Sequence, residues 1–231
     1  MLSKDVVTFY DPTSPLSEAV KCLRTNLQFL IKDKQNDVIA ITSAAPKEGK
    51  SFVIANLAVA TAQVNKRTLV IDCDMRRPTI HKLFGIKCKE GLSEVLQAKE
   101  RDLAEVSIYD SGVENLAILP CGSIPINPAE LLETDALDNL LAMAREEFDV
   151  IYIDTPPVLS VADPIIISKK TAGIILVIMA QSTMEKAALR AYAMLKKSGA
   201  NLLGTVFNRV ETRAVGGYYK YYGYYYGKEK R

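Results

Sequence analysis

The sequence predicts an α/β fold in which a doubly wound, mostly parallel sheet is flanked by helices. Short apolar runs typical of buried strands recur along the chain, for example at residues 38–41, 149–154 and 173–180. Segments with helical patterns alternate with these runs, as parallel α/β sheets require. The 231 residues, 48% hydrophobic and 24% charged, are typical of one soluble globular domain.

The N-terminal part of the chain is expected to hold one irregular segment and one helix. Residues 1–13 show no pattern, whereas Ser14 and Pro15 are typical of an N-cap and a first helical residue. The helix then runs to about Ile31. One of its faces carries charged side chains at helical spacing, namely Glu18, Lys21 and Arg24. From spacing alone, a solvated face is the simpler interpretation.

A phosphate-binding loop is predicted after the apolar run at residues 38–41. Gly49, Lys50 and Ser51 fit the end of the pattern G-x-x-x-x-G-K-[ST], although its first place holds Ala44. A helix without charge follows, so backbone N–H groups and the helix dipole converge on one spot. The candidate nucleotide-binding residues here are Ala45, Pro46, Lys47, Glu48, Gly49, Lys50, Ser51 and Phe52.

Two further strands end in carboxylates. Residues 68–72 form a predicted strand that leads into Asp72, Asp74 and Arg76, either at the ligand-binding edge of the sheet or in a solvated charged turn. The strand 149–154 ends in Asp154 before two prolines. An acidic residue after a buried strand, paired with a phosphate loop, is typical of a Mg²⁺ site.

The remaining elements complete the predicted sheet. Short helices are expected at residues 79–84 and 92–97, a strand at 115–120 and one or two helices within 129–148. A helix at 184–198 and a strand at 202–207 follow the strand at 173–180. We therefore predict a domain spanning residues 14–212, followed by a flexible tail at 213–231.

The tail has low complexity. Seven of the chain's eleven tyrosines lie within nine positions, with glycines around them: Tyr218, Tyr219, Tyr221, Tyr222, Tyr224, Tyr225 and Tyr226. Such a composition indicates disorder, with an aromatic patch or a base-stacking surface as alternatives. A net charge of +2 argues against a nucleic-acid binder. Without a secretory pattern or an apolar stretch of about 18 residues, the chain is expected to be cytoplasmic.

Few residues outside these motifs indicate chemistry. The four cysteines, Cys22, Cys73, Cys88 and Cys121, are widely spaced, which favours reduced thiols over disulfides or a metal site. The single histidine, His81, has no evident partner in the sequence and is expected to be structural.

Taken together, these residues resemble the bacterial tyrosine kinases, cytoplasmic ATPase partners of polysaccharide co-polymerases that are related to MinD and ParA. The resemblance covers nearly the whole chain and rests on four marks. These are the loop at 43–51, the Asp-x-Asp-x-Arg motif at Asp72, Asp74 and Arg76 (usually called Walker A′), the strand ending at Asp154, and the tyrosine cluster.

The resemblance implies a protein-tyrosine kinase that uses ATP and Mg²⁺. Lys50 would hold the β and γ phosphates, and Ser51, Asp74 and Asp154 would organise Mg²⁺. Asp72 would orient or deprotonate the incoming tyrosine, and the tail tyrosines would be the autophosphorylation sites, modified in trans. Arg76 would add positive charge near the phosphates. Asn208, at the end of a strand, would contact adenine.

It also implies partners. The helix face with Glu18, Lys21 and Arg24 resembles an oligomerising Glu-x-x-Arg-x-x-Arg motif with Lys in the middle position, so a ring-like homo-oligomer is expected, with an octamer as one candidate size. A transmembrane co-polymerase subunit would activate the kinase at the inner face of the membrane, a tyrosine phosphatase would reverse it, and polysaccharide synthesis and export would be regulated.

Two other functions stay open from the sequence. A MinD- or ParA-like switch ATPase would carry a signature lysine where this chain has Ala45, with Lys47 nearby but out of place. A nucleotide-bound scaffold of an export complex would not need to turn over ATP. The presence of Lys50, Asp72, Asp74 and Asp154 argues against such a loss of catalysis.

Overall fold

A seven-stranded sheet forms the centre of the protein, whose computed structural model describes residues 1–31, 38–98 and 107–210. The spatial order is β3-β4-β2-β5-β1-β6-β7, and only the β3–β4 pair is antiparallel. The predicted doubly wound, mostly parallel sheet is therefore confirmed. The strands are β1 (Val38–Ser43), β2 (Thr68–Asp72), β3 (Tyr109–Asp110), β4 (Leu116–Leu119), β5 (Val150–Asp154), β6 (Gly173–Met179) and β7 (Leu202–Asn208).

Helices cover both faces of this sheet. Those in the described ranges are α1 (Val7–Tyr10), α2 (Pro15–Leu30), α3 (Lys50–Ala62), α4 (Ile80–Leu83), α5 (Leu92–Gln97), α6 (Pro128–Glu133), α7 (Asp135–Glu147), α8 (Asp163–Ser168) and α9 (Glu185–Lys197). The Ser14 side chain caps α2 by accepting a hydrogen bond from the Ser17 N–H, as the sequence predicts. Among the described residues, no helix combines the length and apolar character that crossing a membrane requires.

Three elements were not predicted, namely α1, which is described below, β3 and α8. Strand β3 has only two residues, too few to show a periodic pattern. Helix α8 is a short apolar turn that begins with Asp163 and Pro164. Both are fixed by contacts with the sheet or with neighbouring helices, a kind of information that local patterns do not carry.

Two hydrophobic cores lie on opposite faces of the sheet. One contains buried side chains from α5 to α9, including Leu92, Leu140 and Leu195. The other contains α3, whose residues 53–62 are all buried, together with Leu27 of α2. Because α3 is enclosed by sheet and helices, its N-terminus is held firmly at the end of β1.

The parallel register brings the acidic strand ends together. Asp72 at the end of β2 lies opposite Asp154 at the end of β5, and Ile41 of the neighbouring β1 lies opposite Asp154 on its other side. The loop after β1 therefore opens at the same edge as both carboxylates, the usual ligand-binding edge of such sheets.

The N-terminal segment packs onto the domain, with α1 within the stretch for which no element was predicted. Asn56 of α3 holds it: its Oδ1 accepts the Thr8 N–H at 2.9 Å, and its Nδ2 donates to the Asp5 carbonyl at 2.9 Å. Val6 and Thr8 are fully buried. A side chain from the buried helix thus binds the Asp5 carbonyl and satisfies the buried N–H of Thr8.

We expect Asn56→Leu to destabilise the protein by about 2–4 kcal/mol, because it keeps the volume but leaves the Thr8 N–H buried without an acceptor. Urea denaturation measures this loss. The control Gln63→Met removes the single bond from the exposed Gln63 to the Thr8 carbonyl and should cost less than about 1 kcal/mol. Equal losses in both variants would contradict the role given to Asn56.

Candidate active site

The loop between β1 and α3 has the backbone shape of a phosphate cradle. Gly49 is the N-cap of α3 with φ 90°, and Lys47 also has a positive φ of 67°. A Cβ on Gly49 would lie 2.0 Å from Asn208 Nδ2. The Asn208 side chain therefore lies close against the Gly49 backbone and leaves no room for a side chain there. Ala44 replaces the first glycine of the motif and is fully buried. Its methyl group packs in the hydrophobic core and does not block the phosphate loop.

Lys50 lies at the centre of the site. Its Nζ is 2.8 Å from Asp74 Oδ2 and 3.3 Å from Asp154 Oδ1, and it donates to Ser51 Oγ at 3.2 Å. The Ser51 hydroxyl in turn donates to Asp154 Oδ2 at 2.6 Å. Residues predicted from three separate motifs thus meet around one ammonium group.

The carboxylates outnumber the cations in this cluster. Burial lowers the pKa of Lys50, but Asp154 and Asp74 outweigh it, so this pKa is raised and the ammonium stays charged. Burial and the charge of Asp154 raise the pKa of Asp72 to about 8. Burial likewise raises the pKa of Asp154, against the opposing effects of Lys50 and Ser51. The site is therefore short of positive charge.

Asp72 is fixed by its own backbone surroundings. It is fully buried, its Oδ1 accepts the Asp74 N–H at 3.2 Å, and its Oδ2 accepts N–H groups of Thr79 and Ile80, each at 3.0 Å. These bonds set the curve of the segment from Asp72 to α4. Asp72 thereby shapes the loop that presents Asp74 to Lys50.

The oxygen atoms around Lys50 fit a magnesium ion. A hydroxyl and two carboxylates, those of Ser51, Asp74 and Asp154, are hard oxygen ligands, and Mg²⁺ usually takes one or two carboxylates together with substrate phosphates. Within the described ranges, no three acidic, thiol or imidazole side chains gather closely enough to hold a metal alone. The shortage of positive charge and this donor set together fit a cation that arrives with a nucleotide.

Arg76 makes a contact that the sequence did not predict. Its Nε and its terminal nitrogen lie 3.2 and 3.3 Å from the two carboxylate oxygens of Asp163, which is fully buried. Arg76 itself is 42% exposed. This pair joins the loop after β2 to α8, which follows the Asp154 strand. Asp163 carried only a weak signal, an acidic residue before a proline at the start of a short apolar run.

A second network holds the phosphate loop. Glu48, 4% exposed, accepts the Ala45 N–H through Oε2 at 3.0 Å and the Thr183 hydroxyl through Oε1. Asn208 Nδ2 donates to the Glu48 carbonyl at 3.0 Å. Asn208 thus lies beside the loop, whereas its predicted contact with adenine stays a prediction. Thr183, after β6, was not recognised because its partner is 135 residues away.

The other predicted loop residues lie where the sequence placed them. Pro46 and Lys47 are exposed on the outer side of the loop, and Phe52 is half-buried against the core around α3. Their roles in binding stay predictions.

The predicted interface residues on α2 make contacts within the chain. Lys21 Nζ pairs with Glu18 Oε1 at 2.7 Å, and Arg24 donates to the Ala60 carbonyl near the end of α3 at 2.9 Å. Their role between subunits stays a prediction. The seven tail tyrosines predicted as phosphorylation sites lie outside the described residues.

Cys73 and Cys121 follow β2 and β4 in the chain, and His81 lies in the short helix after the Asp72 loop. Cys73 and Cys121 are buried, and burial raises the pKa of both, to about 12 for Cys121. His81, in α4, has its pKa lowered by burial and by Lys82.

Comparisons with known proteins agree with this geometry. A family model described as ParA, NUBPL iron-transfer P-loop NTPase, matches residues 34–224. Tyrosine-protein kinase YwqD of Bacillus subtilis is 37% identical over 94% of this chain and 92% of its own length. The kinase domain of the Escherichia coli tyrosine kinase ETK superposes with a TM-score of 0.85 at 33% identity, over 92% of this chain and 83% of that one.

Some relatives are much longer than this chain. Tyrosine-protein kinase wzc of Salmonella typhimurium is 35% identical over 93% of this chain, which spans 29% of that protein. The kinase relatives confirm the resemblance drawn from the motifs and favour it over the switch-ATPase and scaffold alternatives. They also confirm the P-loop NTPase fold, to which nucleotide and Mg²⁺ use belong.

Without metal or nucleotide, we expect the protein to lose stability as the pH rises from about 5 to about 8. The pKa of Asp72 is raised from 3.8 to about 8, so folded Asp72 keeps a proton that the unfolded chain has released, and the free energy of unfolding falls with pH. Asp72→Asn removes this titration, so its melting temperature should fall less steeply across that range in thermal denaturation.

The control for this experiment is Asp149→Asn. Arg67 lowers the pKa of the partly exposed Asp149, so its contribution to stability is lost only in acid and the variant should keep the parental slope. Asp154, whose pKa is also raised, leaves part of the slope in Asp72→Asn. A parental slope in Asp72→Asn would show that Asp72 does not titrate in this range.

Gly49→Ala should weaken Mg²⁺-ADP binding by at least about tenfold, equivalent to about 1.4 kcal/mol, because alanine is strained at φ 90° and its Cβ collides with Asn208. Isothermal titration calorimetry measures the dissociation constant. The double variant Gly49→Ala/Asn208→Ala removes the collision but keeps the strain, so it should recover only part of the affinity. Full recovery would mean that the backbone angle is unimportant.

Proposed function

The chain belongs to the bacterial tyrosine-protein kinases, and on this premise we propose that it is an ATP-dependent autokinase that phosphorylates its own tyrosine cluster in trans. The observation that carries the proposal is the position of Lys50, whose ammonium joins Asp74 and Asp154 beside the buried Asp72. A phosphate loop and two acidic strand ends provide the positioning and charge neutralisation that phosphoryl transfer needs.

The phosphates of ATP would be held by the loop and by Lys50. The N–H groups around Gly49 and the N-terminus of α3 favour negative charge. On binding, Lys50 would exchange its carboxylate partners for β- and γ-phosphate oxygens, which frees Asp74, Asp154 and Ser51 to hold Mg²⁺. When bound, Mg²⁺ would neutralise charge on the phosphates. Asn208 would lie near the base, and Arg76 would steady the Asp74 loop through Asp163.

The acceptor would be a tyrosine hydroxyl of another copy. The bond between the γ phosphorus and the ADP oxygen breaks, a bond from that phosphorus to the tyrosine oxygen forms, and the phenol proton passes to Asp72. The pKa of an unperturbed tyrosine is about 10, so a carboxylate beside the hydroxyl can accept its proton as the transfer proceeds. The products are ADP and phosphotyrosine.

We place the acceptors in the tail, at Tyr218, Tyr219, Tyr221, Tyr222, Tyr224, Tyr225 and Tyr226. The division into residues 1–13, a kinase domain at 14–212 and a tail at 213–231 is part of this proposal. Eight residues lie between Arg209 and Tyr218, and the span reaches at most about 30 Å at about 3.3 Å per residue. That length is enough for a tail to enter the site of a neighbouring copy.

The proposed setting is a membrane-bound assembly. A transmembrane co-polymerase subunit would recruit the kinase to the inner face of the membrane and activate it, and a tyrosine phosphatase would reverse the modification. Glu18, Lys21 and Arg24 of α2 would contribute to a ring-like homo-oligomer, with an octamer as a candidate size. Through cycles of phosphorylation this assembly would regulate the synthesis and export of capsular or extracellular polysaccharide.

Intact mass spectrometry tests the kinase proposal directly. After incubation with Mg²⁺-ATP, the parent protein should gain mass in steps of one phosphate. Lys50→Met, which removes the phosphate-binding ammonium, should gain none, and neither should a variant without residues 218–231. ATP hydrolysis without added mass, even with candidate activator tails present, would support a switch ATPase instead.

A further inference from the structure

The loop after β4 exposes two apolar side chains. Ile124 and Ile126 stand on either side of Pro125 and are 64% and 98% exposed. We call residues 122–127 the isoleucine loop. Two exposed isoleucines separated by a single residue are unfavourable in water, which makes them candidates for an interaction site.

The isoleucine loop lies beside the catalytic carboxylates. β4 pairs in parallel with β2, Ile71 lying opposite Leu119, so both strands end at the same edge about 4.8 Å apart. Burial and then the charge of Asp72 raise the pKa of Cys121, the residue before the loop, which places Asp72 within electrostatic reach of it. A peptide resting on the loop would therefore lie at the same edge of the sheet as Asp72.

Hydrogen bonds fix the loop in place. The Leu92 N–H donates to the Pro120 carbonyl and the Ser93 N–H to the Cys121 carbonyl, each at 2.8 Å. Glu94 accepts the N–H groups of Gly91 and Ser123 at 2.8 and 3.1 Å. The stretch from Pro120 to Ser123 is thus tied to the N-terminus of α5, and the two isoleucines follow directly after it.

We propose that Ile124 and Ile126 form the docking surface for the tyrosine-rich segment, residues 218–226, of a second copy of this chain. Tyrosine rings pack on apolar side chains while their hydroxyls stay available. Because tyrosines recur at nearly every position of the segment, one ring can rest on the isoleucines while a neighbouring hydroxyl lies at the edge of the sheet where Asp72 is buried, in several registers. This inference rests on the proposed kinase function and names the residues that select its acceptor.

Geometry favours a segment from another copy. The tail follows β7, and five strand spacings separate β7 from β4, about 24 Å at about 4.8 Å each. A chain's own tyrosines, of which Tyr218 can lie up to about 30 Å from Arg209 and the later ones farther, would have to run across the phosphate loop after β1, which lies between β7 and β4 at this edge. A neighbouring copy can approach the open end of the sheet without that constraint.

The test compares donors acting on one acceptor. The acceptor is the isotope-labelled Lys50→Met chain, which keeps its tyrosines but should not phosphorylate them. The donors are the parent, Ile124→Ser/Ile126→Ser and the matched control Ile124→Leu/Ile126→Leu, which keeps the apolar surface. Initial rates of acceptor phosphorylation are followed by intact mass over a range of acceptor concentrations, under conditions in which the parent is active.

We expect the serine pair to raise the half-saturating acceptor concentration by at least about tenfold, equivalent to about 1.4 kcal/mol. The leucine pair should stay within about twofold of the parent, and the half-saturating ATP concentration should not change in either variant. These results together would support docking on the isoleucine loop.

Other outcomes overturn the inference. If the serine pair uses the acceptor as well as the parent does, the acceptor docks elsewhere and the kinase function stands. If only stimulation by an activator tail is lost, the loop binds the activator instead. If the leucine pair fails equally, or ATP use weakens in parallel, the isoleucines act through local structure. A parent that labels no acceptor under any condition of the intact-mass experiment overturns the kinase proposal as well.

Discussion

The arrangement of this site depends on three buried carboxylates that share one ammonium group. Asp72 and Asp154 lie opposite each other on adjacent parallel strands, and Asp74 is turned back toward Lys50 by the hydrogen bonds of Asp72. Such a concentration of acidic groups in a buried place is costly, and among the described residues Lys50 is the cation that pairs with two of them. The same shortage of positive charge that makes the empty arrangement costly favours a nucleotide that brings a divalent cation.

The phosphate loop is held from the side of the sheet that the carboxylates do not occupy. Thr183 after β6 and Asn208 at the end of β7 both donate hydrogen bonds to Glu48. These bonds connect the phosphate loop to the ends of the last two strands of the sheet. Asn208 Oδ1 also accepts the N–H of Arg209, which has the uncommon φ of 54° and is next to the last described residue. Asn208 thus connects the phosphate loop to the last described residues of the chain.

The sequence predicted most of this site because its chemistry lies where local patterns are strongest. Lys50, Asp72, Asp74 and Asp154 each follow a buried apolar run, and parallel strands bring such ends to one edge. Thr183 and Asp163 were missed because each matters through a partner far away in the chain, Glu48 and Arg76, and a lone threonine or an Asp-Pro pair carries no such information. Strand β3 and helix α8 were missed for the related reason that short elements depend on tertiary contacts.

A P-loop site becomes a kinase rather than a hydrolase through its acceptor. Water is always available at high concentration, so transfer to tyrosine requires that a phenol reach the carboxylate before water does. In the docking proposed above, a segment dense in tyrosine, held at this edge of the sheet by apolar contact, would bring the phenol in at high local concentration and exclude water at the same time. Selectivity for tyrosine then needs no additional catalytic group, only a surface next to Asp72 that favours aromatic side chains.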